Sequence, residues 1–179
     1  DHIKSLLASQ LGAFSTAQIA AVNTQSLASL STQQLRGFGA EQIAAFSTEQ
    51  IFNLTTAQFV SLSTAQVAAM ETRDLAALTT SQTQALTRTQ VSNLTSTQMQ
   101  ALETADLASL STSQLAGLSA TQLNKLTTAQ TASLTTAQVA SLSATQVSQL
   151  TTAQTAGMTT SQAKTPPAKM TPAMRGPMM

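Results

Sequence analysis

Residues 134–147 read LTTAQVASLSATQV, one eight-residue unit followed by most of the next. This unit, which we call an octad, recurs from Leu6 to about Gln162 with the consensus Leu-Ser/Thr-Thr-Ala-Gln-apolar-Ala-Ser. Thr135 and Gln138 have the spacing of a capping box, in which a Ser or Thr side chain binds the amide three residues on and the Gln side chain binds the amide of the capping residue. Each octad therefore predicts the start of a new helix.

The apolar residues of the octad support the same interpretation. Leu134 precedes the predicted cap and Val139 occupies the fourth helical position, the two sites that a hydrophobic staple joins. A single long helix is disfavoured, because eight residues advance ~800° and successive leucines would spiral around it. The heptad and hendecad periods of coiled coils are absent, and the five-and-three apolar spacing differs from the alternation of a half-buried strand.

We therefore predict an all-α solenoid of very short helices, one per octad, stacked into a rod. Helices of about five or six residues are unstable alone, so stability must come from stacking. The predicted solenoid spans residues 1–162, and residues 163–179 form a Pro/Met-rich C-terminal tail. With two octads per coil, an assumption, about ten coils would extend ~90 Å; three octads per coil would give a shorter, wider body.

The composition of the chain limits the kinds of molecule that the protein could bind. The formal net charge is +1 and only 8% of residues are charged, which argues against nucleic acid because phosphate binding needs a clustered basic face. Such sparse charge also favours association between copies. No apolar run reaches the length of a transmembrane helix, and the absence of Cys excludes disulfides.

The sequence offers no catalytic residue, cofactor site or metal site. His2 is the only histidine and lies near the N-terminus, and no base recurs beside the many Ser and Thr hydroxyls. A phosphate-binding loop is not predicted, because the glycines are scattered near octad corners, where a positive φ would be useful. These corner glycines are Gly12, Gly37, Gly39, Gly117 and Gly157.

Two octads replace the consensus cap with Glu and the consensus Gln with Asp. They contain Glu71 with Asp74 and Glu103 with Asp106, and they are four octads apart. One interpretation is a carboxylate pair that binds a hard cation such as Ca²⁺; the other is an acidic helix start favoured by the helix dipole. We favour the helix start, because Ca²⁺ needs about six or more oxygen ligands and the neighbouring octads add no carboxylate.

Two sets of residues are candidates for contacts with other molecules. Proline and methionine side chains of the tail could lie in shallow grooves of a neighbouring copy; they are Pro166, Pro167, Met170, Met174, Met178 and Met179.

Threonines at the first helical position could form a polar array that binds a surface, a polysaccharide or ice. Arg88, Ala120 and Ala144 interrupt this array. The threonines are Thr56, Thr64, Thr72, Thr80, Thr128 and Thr136.

The octads that begin at Leu126, Leu134 and Leu150 all read LTTAQ. They resemble the LTTAQ tandem repeats of large bacterial surface and secreted proteins of the adhesin-like or haem-utilisation-like class. The resemblance implies an extracellular stalk, fibre or adhesin and carries over no catalytic residue. Haem binding gains no support, because the array lacks His and Tyr ligands.

The sequence thus predicts a non-enzymatic structural protein at the cell surface or outside the cell, either a stalk or a self-assembling filament protomer whose partner is another copy. The alternative is a binding module that uses the repeated Ser/Thr/Gln face. No polar capping segment precedes the first octad, so we expect either a fragment of a longer array or an end that docks onto a partner.

Overall fold

A computed structural model describes residues 2–158 and Gln162; the predicted tail, residues 163–179, lies outside the described residues. In the described part, a 3₁₀ helix, His2–Ser5, precedes a series of short α-helices. They are α1 (Ala8–Leu11), α2 (Thr16–Ala20), α3 (Thr24–Ala28), α4 (Thr32–Leu35), α5 (Ala40–Ala44), α6 (Thr48–Phe52), α7 (Thr56–Ser61), α8 (Thr64–Ala68), α9 (Thr72–Ala76), α10 (Thr80–Ala85), α11 (Arg88–Ser92), α12 (Ser96–Ala101), α13 (Thr104–Ser109), α14 (Thr112–Leu115), α15 (Ala120–Lys125), α16 (Thr128–Ser133), α17 (Thr136–Ser141), α18 (Ala144–Ser148) and α19 (Thr152–Gly157).

Each helix begins at the residue that the capping pattern predicts. Before α18, the Ser143 amide donates to Gln146 Oε1 at 2.7 Å, and the Gln146 amide donates to Ser143 Oγ at 3.2 Å. Leu142 (φ −66°, ψ 140°) and Ser143 (φ −71°, ψ 161°) are both extended, so two residues form the whole corner between α17 and α18. The predicted all-α architecture with one short helix per octad is confirmed.

Three octads complete one coil, because each helix packs against the third helix after it along the chain. The coil period is therefore three octads, and the assumption of two octads per coil is wrong. About six coils stacked ~9 Å apart give a rod on the order of 55 Å long.

The rod has three faces, each formed by every third helix. Face 1 contains α1, α4, α7, α10, α13, α16 and α19; face 2 contains α2, α5, α8, α11, α14 and α17; face 3 contains α3, α6, α9, α12, α15 and α18. Equivalent positions on one face are therefore separated by whole multiples of three octads in the sequence.

A continuous apolar core runs through the solenoid. The apolar residue that opens each octad, most often Leu, and the residue at the fourth helical position, usually apolar, supply it, as Leu142 and Val147 do, each 1% exposed. Phe38 and Phe46 make an edge-to-face contact in this core, with ring centroids 5.6 Å apart. Since no single octad can bury these side chains, stacking of neighbouring coils creates the core.

Four of the corner glycines, Gly12, Gly37, Gly117 and Gly157, lie where a Cβ would come within 2.7 Å of a neighbouring atom, so they act through their small size. Within the described chain no glycine has a positive φ, so that expectation was wrong. A Cβ built on Gly37 would lie 2.3 Å from the Ala8 carbonyl oxygen, closer than real Cβ contacts. Gly37 therefore permits a close approach between the chain after α4 and α1.

Candidate functional site

The glutamine of the octad links consecutive coils. Gln138 Oε1 accepts from the Thr135 amide at 2.7 Å, which is the half of the capping box that the spacing predicts. Its Nε2 donates to backbone carbonyls of the preceding coil, at 3.1 Å for Leu107 and 2.7 Å for Leu110. One buried side chain thus satisfies a helix start in its own coil and carbonyls at a helix end in the coil below.

This contact recurs along the rod with constant geometry, and we call it the glutamine ladder. In every copy the side-chain amide reaches the carbonyl of the residue 28 positions earlier, as Gln138 reaches Leu110. The ladder residues are Gln34, Gln42, Gln50, Gln58, Gln66, Gln82, Gln90, Gln98, Gln114, Gln122, Gln130, Gln138, Gln146, Gln154 and Gln162.

The ladder explains why this position is almost always Gln. Very short helices leave most of their terminal N–H and C=O groups without partners inside the helix. A side chain at this position must accept at one end and donate at the other, and the amide of Gln has both groups. The capping pattern revealed only the acceptor; the donor role depends on the carbonyls that stacking places beside the side chain.

The two acidic octads interrupt the ladder. Glu71 and Glu103 occupy the cap positions, but neither side chain makes a capping hydrogen bond. Asp74 and Asp106 are buried, and because they are four octads apart they lie on face 3 and face 1. Among residues 2–158 and Gln162, no group of three or more His, Cys, Asp or Glu side chains is placed to hold a metal ion.

The predicted threonine array is distributed differently from the expectation. Consecutive octads lie on different faces, so the six predicted threonines do not form one row, and that expectation was wrong. The coil period places Thr56, Thr80 and Thr128 on face 1, Thr64 and Thr136 on face 2, and Thr72 on face 3.

Face 1 nevertheless carries an uninterrupted row of exposed threonines at the first helical position from α4 to α19. We call it the threonine column: Thr32, Thr56, Thr80, Thr104, Thr128 and Thr152. The predicted interruptions, Arg88, Ala120 and Ala144, fall on faces 2 and 3. A search of the sequence at a period of three octads would have found this column.

The remaining candidate residues are those of the tail and His2. The tail residues Pro166, Pro167, Met170, Met174, Met178 and Met179 lie outside the described residues. His2 is exposed and lines a shallow cleft of about 320 Å³ together with Ile3, Leu6 and Phe14. No helix in the described ranges has both the length and the apolar character needed to cross a membrane.

The fold defines a class of protein, an α-solenoid with three capped octads per coil. The ALTTAQ repeat family model matches residues 22–56, 67–103 and 99–136, which together exceed half of the chain. The chain belongs to the ALTTAQ repeat family. Neither the curated proteins nor the solved structures yielded a match.

Proposed function

We propose that this protein is a non-enzymatic structural rod of the cell surface or the extracellular space, serving as a stalk or as the protomer of a filament. The observation that supports this proposal most directly is the glutamine ladder. It commits the side chain of nearly every octad's glutamine to contacts between coils, and such contacts stabilise the stacking of one coil on the next.

The first coil suggests how one rod could join another. Gln10 and Gln18 use Oε1 in the predicted capping contacts, with Leu7 and Ser15 respectively. In residues 2–158 no backbone carbonyl accepts from their Nε2 atoms, and both side chains are exposed. Backbone carbonyls at the C-terminal edge of the described residues have the matching polarity in a second copy, so head-to-tail stacking there would continue the ladder.

Negative-stain electron microscopy across a concentration series tests this proposal. We expect uniform filaments that lengthen with concentration and that the double variant Gln10→Glu/Gln18→Glu strongly shortens, because a carboxylate keeps the capping acceptor and has no hydrogen to donate. The double variant Gln25→Glu/Gln33→Glu, at exposed positions of α3 and α4, adds the same charge and should leave the filaments unchanged.

Two other outcomes separate a filament protomer from a stalk. Isolated rods of one length at every concentration would contradict filament assembly and favour a stalk. Deletion of residues 163–179 tests the predicted role of the tail, and normal assembly of the truncated chain would contradict it.

The threonine column supports a second candidate function, binding of a surface, a polysaccharide or ice as in an adhesin. Six exposed hydroxyls repeat at the coil spacing on one face. One of them, Thr80 Oγ1, donates to Asp106 Oδ1 at 2.8 Å, so its hydrogen is engaged inside the protein. The other five carry the candidate surface.

Matched threonine substitutions distinguish a role of the column from a role of general composition. The column variant replaces three of its members, Thr56→Ala/Thr104→Ala/Thr128→Ala. The control variant replaces three exposed threonines at the same helical position on faces 2 and 3, Thr16→Ala/Thr72→Ala/Thr112→Ala. Sedimentation with microcrystalline cellulose, and an ice-growth assay, should show about tenfold weaker binding for the column variant and a change below about threefold for the control variant. Equal binding by the two variants would contradict a role for the column.

A further inference from the structure

Asp74 and Asp106 occupy the position that carries the bridging glutamine in the octads of the ladder. An ionised carboxylate has no hydrogen to donate. Asp74 therefore cannot make the contacts with the Ile43 and Phe46 carbonyls that the ladder spacing assigns to this position. The same holds for Asp106 toward the carbonyls of Leu75 and Leu78.

At both positions a threonine of the preceding coil supplies the cross-coil hydrogen bond in the opposite direction. Thr48 Oγ1 donates to Asp74 Oδ1 at 2.9 Å, and Thr80 Oγ1 donates to Asp106 Oδ1 at 2.8 Å. A single hydroxyl contact thus replaces the amide contacts that Gln makes elsewhere. The two carboxyl groups are also buried, with exposed fractions of 0% and 4%, and burial of a carboxylate costs solvation free energy.

The charged groups near these carboxyls offset little of that cost. Arg73 Nε lies 3.8 Å from Asp74 Oδ1 but 3.0 Å from Glu71 Oε2, and more than half of its side chain is exposed. Of the helices packed against α9, α6 contributes only the exposed Glu49, and α12 contributes no charged residue. Glu103, at the cap of α13, is the charged residue that precedes Asp106, and α10 and α16 have none.

We propose that the α6–α9 and α10–α13 contacts are the built-in opening points of the rod, where neighbouring coils separate first under thermal fluctuation or tension. Each of these two contacts has one cross-coil hydrogen bond at the position where a ladder glutamine such as Gln90 makes two, and local opening occurs first where the interaction between neighbours is least stabilised. The inference concerns the solenoid itself and holds whether the rod is a stalk, a filament protomer or a binding module.

Hydrogen–deuterium exchange of the full chain, read by mass spectrometry, tests this proposal. We expect amides in residues 47–54, 71–78, 79–86 and 103–110 to exchange roughly tenfold faster than those in other internal octads, the factor expected for a net loss of about one hydrogen bond. Asp74→Gln and Asp106→Gln restore the amide donor, so each should slow exchange at its own contact by a similar factor.

Gln90→Asp is the matched control. Thr64 lies 26 residues before position 90, the same separation as Thr48 from Asp74 and Thr80 from Asp106. The variant therefore recreates the acidic arrangement in an intact part of the ladder and should speed exchange in residues 63–70 and 87–94. Unchanged exchange in both Asp→Gln variants, or in Gln90→Asp, would overturn the proposal.

The opening at Asp74 should also depend on pH. Burial raises the pKa of Asp74 above its ordinary value of 3.8, and the hydrogen bonds from Thr48 and the Glu71 amide only partly oppose this shift. Because the pKa of Asp74 is raised in the folded state, protonation of Asp74 stabilises the α6–α9 contact. This stabilisation is fully present below the ordinary pKa and is lost as the pH rises through the folded-state pKa. After correction for intrinsic rates, opening of the α6–α9 contact should become less frequent as neutral solution is acidified. Asp74→Asn should remove this dependence; its persistence in that variant would contradict titration of Asp74 as the cause.

Discussion

Replacing Gln138 by methionine is expected to lower the free energy of unfolding by about 3–5 kcal/mol. The side chains are similar in length, so the substitution removes hydrogen bonds with little change in volume. It leaves the Thr135 amide without its acceptor and removes the amide that donates to the carbonyls of Leu107 and Leu110. Each buried polar group that loses its partner costs roughly 1–3 kcal/mol. Urea unfolding followed by far-ultraviolet circular dichroism measures the change, since the chain has no Trp or Tyr for fluorescence.

Gln33→Met is the control for the loss of a glutamine. Gln33 lies at the exposed second position of α4, and in residues 2–158 its side chain makes no hydrogen bond. A change within about 0.5 kcal/mol is expected there, as for a surface substitution. If Gln138→Met destabilises the protein no more than Gln33→Met, the glutamine ladder does not hold the coils together.

Replacing Phe46 by alanine is expected to cost about 3–5 kcal/mol, because the deletion leaves a cavity in a core that relaxes only in part. Phe46 is 0% exposed and loses its edge-to-face contact with Phe38. Each coil has only a few core side chains, so few neighbouring side chains can move into the cavity. The same urea titration measures the loss.

Phe52→Ala provides a control with identical chemistry. Phe52 belongs to the same octad, which Phe46 opens, and its side chain is 52% exposed. We expect it to cost less than about 1 kcal/mol, since exposed apolar surface contributes little to folding. Equal losses for the two variants would show that the axial core does not carry the stability of this part of the rod.

The helix starts were predictable from the sequence because they depend on residues three to five positions apart. Ser143 with Gln146, and Leu142 with Val147, show the capping box and the apolar pair at the spacings read from the chain. Such contacts form within one octad and its corner, so they need no knowledge of the remainder of the fold.

The interpretation was wrong where two octads distant in sequence had to be placed side by side. Coil closure depends on the angle that Leu142 and Ser143 impose at a corner and on how the apolar side chains of three octads fill the axis, and neither is encoded in the spacing of one repeat. The sequence interpretation consequently placed Thr56, Thr64 and Thr72 in one array. With three octads per coil they lie on three faces, and Arg88 no longer interrupts the face-1 column.

The repeat unit follows from the sequence: a capped helix of a few residues, an extended corner and a pair of apolar side chains that must pack against neighbours. Folding of the whole solenoid establishes that three units make a coil and that Gln138 donates to the carbonyls of Leu107 and Leu110. It also places Asp74 and Asp106 where the glutamine ladder is interrupted. The two kinds of contact differ in the distance along the chain that they span. Capping acts within a single octad, whereas the bridge joins residues 28 and 31 positions apart, and that separation becomes a contact only after the coil has closed.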